Sequence, residues 1–338
     1  MIFPKRDSVY QNLNSSFTNF GELLVDLKEN NFTGVVQVSY WEYDGVLLLD
    51  NGNIINAIEE INGKIVTGQS AVKNVTVKAM EKDGAISVFS QKADMITMLA
   101  SVAKSEIIYE NLSTEFTSLK ALISKLQSED HTGYIEITFQ VNQQAGYIFL
   151  LSGSVIESFL VTRGDEISGI DVLSRIIELA STSGATFCVY KAAIEEALSE
   201  SEMIKINYDL PQLLEVWSAI ISAAESAVDI LMGDNTFINT FKDALIEIAD
   251  DYPFLDPFAA KFQYQDGVVT FKGEVKKNFS QGLGVGLWGT VEALAEQAAM
   301  DGKDLFSPLR EALDSVKQEY QGKLDRFNFS AIMPELFK

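Results

Sequence analysis

The sequence holds one cysteine, Cys188, and one histidine, His131, among 338 residues. A disulfide within the chain is thereby excluded, and so is a zinc site built from Cys and His ligands. Proline is scarce at six residues, and basic residues are outnumbered, with 26 Lys and Arg against 48 Asp and Glu. The resulting formal charge of −22 repels phosphate backbones and anionic lipid, so neither nucleic-acid binding nor polybasic membrane docking is expected. A protein partner, and a basic one in particular, stays compatible with such a surface. Met1-Ile2-Phe3-Pro4-Lys5-Arg6-Asp7-Ser8 lacks the apolar run of a signal peptide, which makes a cytoplasmic address the expectation. Leu213 to Met232 is long and greasy, but it carries Glu215, Glu225 and Asp229 and repeats its large apolar residues at helical spacing. That pattern predicts a buried amphipathic helix and no membrane insertion.

What the chain does contain is one stretch written twice. Phe17-Thr18-Asn19-Phe20-Gly21-Glu22-Leu23 through Val38 returns as Phe116-Thr117-Ser118-Leu119-Lys120-Ala121-Leu122 through Ile137, at an offset of 99 residues that also relates Gly34 to Gly133. The offset becomes 101 for Gly45 and Gly146, Gly52 and Gly153, Gly63 and Gly164, and Gly68 and Gly169, and closes at 100 with Gly84 and Gly184. Glycines that hold register while other side chains change imply one backbone built twice.

Within each copy the hydrophobic period changes in the same order. Phe20, Leu23, Leu24 and Leu27 mark a helical stripe. Val36, Val38 and Tyr40 alternate with Gln37 and Ser39 as a half-buried strand does. Val46 to Leu49 and Ile54 to Ala57 supply two more strands around Asp50-Asn51-Gly52-Asn53, then Val72, Val75, Val77 and Met80 a second helix, and Ala85 to Phe89 a last strand. In the second copy Ile135, Ile137, Phe139 and Val141 face one way, against Glu136, Thr138 and Gln140. Val172, Leu173, Ile176, Ile177 and Leu179 form its second helix. The stretches 94–109 and 192–204 read as helices, each capping its own repeat.

From Leu210 onward the repeat is absent. Asp209-Leu210-Pro211 starts a helix, Gly233 breaks it, and Phe237 to Ala249 makes another. Gln265-Asp266-Gly267 signals a hairpin over 261–272. Ser307-Pro308 reads as N-cap and N1 of a final helix whose Phe306, Leu309, Leu313, Val316, Tyr320 and Phe327 form a heptad stripe, which suggests a homodimer through that helix. The expected fold class is α+β: two repeated antiparallel-sheet-plus-helix domains, 15–110 and 111–205, then a mainly helical domain, 208–338, with a β-hairpin.

No catalytic set assembles from spacing. His131 stands where the first copy has Phe32, which favours packing. Cys188 has no histidine near it in sequence to activate a thiol. Gly282-Leu283-Gly284-Val285-Gly286 lacks the Gly-Lys-Ser/Thr ending of a phosphate loop and is read as a flexible or close-packed loop. Asp50 and Asp250-Asp251 come in the wrong order for a phosphorylatable receiver. No cofactor or metal is expected. Aromatic clusters remain, with Tyr40, Trp41 and Tyr43 around a hairpin tip and Tyr252, Phe254 and Phe258 around two prolines. These six are the candidate interface residues.

Thr33-Gly34-Val35, Gly45-Val46-Leu47-Leu48-Leu49 and Gly52-Asn53-Ile54-Ile55, with Thr132-Gly133-Tyr134, Gly146-Tyr147-Ile148-Phe149-Leu150 and Gly153-Ser154-Val155-Ile156, give each copy a pattern that resembles the PATAN family. The resemblance covers residues 15–92 and 114–192. It implies non-catalytic interaction modules of bacterial signalling and motility, with no catalytic residue to carry over. No receiver is attached, and 208–338 has no counterpart in that family. The expected function is a protein-interaction adaptor. The alternative is a sensor that holds an apolar small molecule between the C-terminal helices and their hairpin.

Overall fold

The computed structural model describes residues 3–5, 7–140, 144–162 and 165–337. Val141 and Gly164, placed in the repeat by sequence, lie outside the described residues. The chain divides into two compact units, residues 1–205 and 206–338.

In the first unit, the first repeat runs β1 (Ser8–Asn14), α1 (Phe20–Glu29), β2 (Gly34–Tyr40), β3 (Tyr43–Asp50), β4 (Asn53–Ile61), β5 (Lys64–Thr67), α2 (Gln69–Lys78) and β6 (Ala85–Ser90). The helix α3 (Ala93–Ser101) follows. The second repeat then runs β7 (Glu106–Ser113), α4 (Leu119–Ser128), β8 (Gly133–Phe139), β9 (Ala145–Leu151), β10 (Ser154–Thr162), β11 (Asp165–Ser168), α5 (Ile170–Ser183) and β12 (Ala185–Lys191). The sheets are six-stranded, with orders β1-β6-β2-β3-β4-β5 and β7-β12-β8-β9-β10-β11. Identical order in two antiparallel sheets establishes the duplication.

The sequence explains these elements locally. Asn19 caps α1 by accepting the Glu22 N–H at 3.3 Å, Glu22 sits in the first turn and Lys28 in the last, and Phe20, Leu24 and Leu27 form the buried stripe. That stripe packs with Val72 and Val75 of α2 on Val36, Val38 and Leu47. Each such side chain contributes about 1.5–3 kcal/mol when buried.

Two glycine pairs show why register survived. Gly52 and Gly153 have φ of +72° and +76°, and a Cβ there would stand 2.5 Å from the Lys28 Cα and 2.7 Å from the Gln127 carbonyl oxygen. The hairpin turn thus presses on the end of the first helix in both copies. At Gly34 and Gly133 the conflict is across strands: a Cβ would lie 2.2 Å from the Phe89 carbonyl oxygen and 1.9 Å from that of Tyr190.

Several expectations are corrected. The helix expected over 94–109 ends at Ser101, and after a 3-10 turn at Val102–Lys104 the chain becomes the edge strand β7. Ile107 and Ile108 are 52% and 39% exposed, so their apolar character marks an edge strand and not a buried helical stripe. Strands β1, β5 and β11 are additions to the expected three-strand meander. Because β1 precedes residue 15 and β7 begins at Glu106, the repeat boundaries drawn at 15 and 110 cut into both sheets.

Helix α3 packs on β2, β3 and β4 of the first sheet and also on β10 of the second. Met95, Ile96, Met98 and Leu99 join Val35, Val46, Leu48 and Ile55 from one repeat to Tyr134, Phe149 and Phe159 from the other in one continuous core. Helix α6 (Ile194–Tyr208) does not cap its own repeat alone. Its Ile204 is buried in the helix-side core of the first repeat, and its Glu200 pairs with Lys104 at 2.9 Å.

The second unit is built on α7 (Leu210–Met232), whose Trp217 is fully buried against Phe329 at 4.9 Å between ring centres. Around it stand α8 (Thr236–Glu247), the hairpin β13 (Phe262–Gln265) and β14 (Val268–Phe271), α9 (Phe279–Met300), α10 (Phe306–Arg326), and the short α11 (Phe329–Ile332) and α12 (Pro334–Phe337). The expected hairpin is present, turning through Asp266 and Gly267 at φ +51° and +78°. The glycine-rich segment 282–286 is helix interior, not loop. A Cβ at Gly282, Gly284 or Gly286 would meet Tyr252, Ile332 or Leu245 at 2.6–2.9 Å, so these glycines admit close neighbours. The last long helix has Leu305 at its N-cap, Asp304 just before it accepts the Phe306 N–H at 3.0 Å, and Ser307 and Pro308 lie within the first turn. Leu309, Leu313, Val316 and Leu324 are buried in the unit's own core, so the stripe that suggested a homodimer is consumed internally.

Candidate functional site

The six aromatic candidates separate by burial. Tyr43 and Phe254 are core residues, 8% and 6% exposed, which corrects their assignment as surface anchors. Tyr43 lies under α2, where burial and the neighbouring Glu59 carboxylate raise its hydroxyl above the ordinary tyrosine range. Phe254 stacks on Phe279 at 5.7 Å. Tyr40 and Tyr252 are half-buried and spent on packing. The Tyr40 hydroxyl donates to the carbonyls of Lys78, the last residue of α2, and Glu81 just after it, both at 2.7 Å, and the Tyr252 ring fills the space above Gly282. Trp41 and Phe258 remain, 91% and 86% exposed.

Two further exposed rings were not among the sequence candidates. Phe17 and Phe116 are 90% and 87% exposed, and they occupy the same place in the two repeats. Each sits on a turn between an edge strand and a capped helix. In the first, the Phe17 N–H donates to Asn14 O at 3.0 Å and the Ser16 N–H to the Asn14 side chain at 2.8 Å. The Gly84 N–H donates to Ser15 Oγ at 2.8 Å. In the second, the Phe116 N–H donates to Ser113 O at 3.0 Å, the Glu115 N–H to Ser113 Oγ at 3.2 Å, and the Ala185 N–H to Thr114 Oγ1 at 3.1 Å. These three bonds recur in both turns, and the first turn adds an exchange between Ser16 and Asp83. Three residues on, Phe20 and Leu119 turn inward and are 2% exposed. The outward rings forgo about 1.5–3 kcal/mol of burial apiece. Their repetition at an offset of 99 was the available signal; what sequence lacked was the direction in which each ring points.

At the β2–β3 hairpin a cleft of about 410 Å³ is lined by Gln37, Ser39, Tyr40, Glu42, Tyr43, Asp44, Glu60, Asn62 and Gly63, without Trp41. Gln37 Nε2 and Ser39 Oγ both donate to Asp44 Oδ1 at 2.8 Å, so its polar wall is internally bonded. Among the described residues no group of three or more His, Cys, Asp or Glu is placed to hold a metal ion.

The inner face of the second sheet carries a titratable cluster around Glu136. Tyr147 and Tyr190 donate to opposite oxygens of Glu136 at 3.1 and 3.2 Å. Tyr190 stacks on Tyr134 at 4.5 Å, and Phe149, Phe159 and Tyr147 continue the stack. Burial first, then the Glu136 carboxylate, pushes the Tyr190 hydroxyl up to about 12. The half-buried thiol of Cys188 lies opposite Glu136 across the strand pair. His131 is a packing residue, as its position suggested: it is buried beside Gly133, and its Nε2 donates to Tyr190 O at 3.0 Å. Burial lowers its pKa. Asp50 is a turn residue that accepts from Thr33 at 3.4 Å, and Asp250 and Asp251 lie in the turn after α8.

The class these features define is a tandem α+β repeat protein with a helical C-terminal unit. A family model described as an uncharacterized protein conserved in archaea (DUF2226) matches residues 1–103 and again 104–203, and the chain belongs to that family. This corrects the PATAN resemblance and the bacterial setting it implied. The motifs behind that resemblance are glycine turns and alternating strands, which report backbone geometry that unrelated antiparallel sheets share. No curated protein and no solved structure matches the chain. Among the described residues, no helix is long and apolar enough to cross a membrane.

Proposed function

We propose that the protein is an interaction scaffold that acts by contact and not by catalysis, each repeat engaging a protein partner through one phenylalanine on a rigid turn. The observation that carries this is the pair Phe17 and Phe116, exposed to nearly the same extent on turns with matching hydrogen bonds. The backbone beneath each ring is already ordered, so a partner's pocket has only the side chain left to immobilise, which suits an anchor. Two equivalent anchors on one chain also favour a partner with two equivalent pockets, because the second contact then forms at high effective concentration. The acidic surface favours a basic partner and disfavours nucleic acid. The test is capture from a native lysate by the wild-type chain and by Phe17→Ser, Phe116→Ser and the double variant. The expected result is a protein retained by the wild type, weakened by each single change and lost with both. A partner set unchanged in the double variant overturns the proposal.

A second reading is favoured by a cleft in the C-terminal unit, where an apolar ligand is held between α8 and the hairpin. The cleft measures about 220 Å³ and is lined by Ile238, Phe241, Leu245, Leu255 and Phe262 at its apolar walls. Its test is a thermal shift in the presence of small apolar compounds.

A further inference from the structure

We infer that the α8–hairpin cleft of the C-terminal unit takes a small apolar carboxylate: one ring or branched chain inside, its carboxylate at Lys242. The inference rests on the second reading above and adds the chemistry of the ligand.

The sequence places Ile238, Phe241, Lys242 and Leu245 at three- and four-residue steps, so one face of α8 supplies a wall of three apolar side chains and one ammonium. The opposite wall is Phe262 and Tyr264 of β13, closed at one end by Leu255 and Pro257. The hairpin is tied back to α7: Ser218 Oγ accepts the Val269 N–H at 2.8 Å, and the Tyr264 hydroxyl donates to Glu225. Burial first, and then that bond, raise the Tyr264 hydroxyl above its ordinary range, so it is engaged with Glu225 and does not serve a ligand.

Size and charge then narrow the occupant. A dry cavity of about 150 Å³ with similar walls accommodates benzene, so 220 Å³ suits a single ring with a short side arm. Among the described residues Lys242 is the only charged one lining the cleft; it is exposed, and it makes no hydrogen bond or ion pair with them. In a chain with nearly twice as many acidic as basic residues, an unpaired ammonium at an apolar mouth selects an anion. Long-range repulsion from the chain's net charge is screened within about 8 Å at physiological salt. The remaining mouth residues, Gln263 and Gln265, are neutral and offer hydrogen bonds.

The experiment uses the full chain with labelled Ile and Leu methyl groups. It is titrated at physiological salt with 3-phenylpropionate, 3-phenylpropan-1-ol and 3-phenylpropylamine, three probes with one skeleton and three charges. The expected result is movement of the Ile238, Leu245 and Leu255 methyl signals, with the carboxylate binding about two- to fivefold tighter than the alcohol and the amine weakest. Lys242→Met, an exposed change, erases that preference while leaving alcohol binding in place. Equal affinity for carboxylate and alcohol, or preference for the amine, overturns the carboxylate assignment and leaves the cleft a neutral apolar site. If none of the probes moves these methyl signals up to about 10 mM, the ligand reading itself falls.

Discussion

The inner faces of the two sheets use the same strands to opposite ends. In the first repeat Val35 pairs with Phe89 and Gln37 with Ser87 across β2 and β6. In the second, the same places hold Tyr134 with Tyr190 and Glu136 with Cys188 across β8 and β12. One face is therefore largely aliphatic around a single ring, Phe89, with the Asp44 carboxylate bonded to Gln37 and Ser39 at its margin, and α3 packs on its strands. The other is an aromatic stack ending in a carboxylate clasped by two phenol groups. The backbone conflicts at Gly34 and Gly133 are nearly identical, whereas the side chains beside them have diverged. Duplication here preserved the close approach of strands and released the filling between them.

The largest test strikes what the repeats share. Gly34→Ala and Gly133→Ala should each cost about 3 kcal/mol or more, because the added methyl meets backbone that cannot move aside. Gly52→Ala and Gly153→Ala should cost roughly 2–3 kcal/mol through their positive φ and contact with the preceding helix. Urea unfolding of the purified chain checks both pairs, and a neutral result at one member breaks the equivalence.

The next tests strike what differs. Phe149→Ala, in the aromatic stack, should destabilise by about 3–5 kcal/mol, and Leu48→Ala, its aliphatic counterpart, by about 2–5 kcal/mol. Thermal unfolding ranks the two. Glu136→Gln, which installs the first repeat's residue, should lower the hydroxyl pKa of Tyr190 without returning it to the ordinary 10.0, since burial is the larger cause. The neutral phenol is the form the fold prefers. Its stabilisation is complete below pH 10.0 and is lost as pH rises toward about 12, and the variant should lose less over that interval. Ultraviolet titration of tyrosinate, run beside alkaline unfolding, reads both effects.

The smallest effect belongs to His131. Its depressed pKa means the unfolded chain takes up the proton first, so stability is full above pH 6.5 and declines as pH falls below it. His131→Phe copies Phe32 of the first repeat and should flatten that decline. Acid unfolding curves that superpose for the two proteins would remove histidine from the account.

How much of this was visible in the residues follows from what each signal reports. Glycine spacing reveals backbone constraint, and it exposed the duplication, the hairpin turns and the order of the central strands. Edge strands carry no such mark. The exposed β1 reads Ser8-Val9-Tyr10-Gln11-Asn12-Leu13-Asn14 without alternation of burial, and β5 is four residues long. Ile107 and Ile108 continued the helical spacing of Ile96, Leu99 and Val102 by coincidence, which concealed β7. For the candidate site, clustering of aromatics picked out Trp41 and Phe258 together with four rings that the fold uses for packing. Phe17 and Phe116 were visible as a register pair, yet nothing in a one-dimensional pattern distinguishes an inward ring from an outward one three residues away.

The position of α6 bears on the order of assembly during synthesis. Helix α3 leaves the ribosome directly after the sheet it covers, so the first repeat can shield its inner face early and locally. Ile204, however, belongs to a core whose other members were made more than a hundred residues before. Until that helix emerges, one edge of the earliest-made domain stays open, and the last turns of α6 are the latch that closes it.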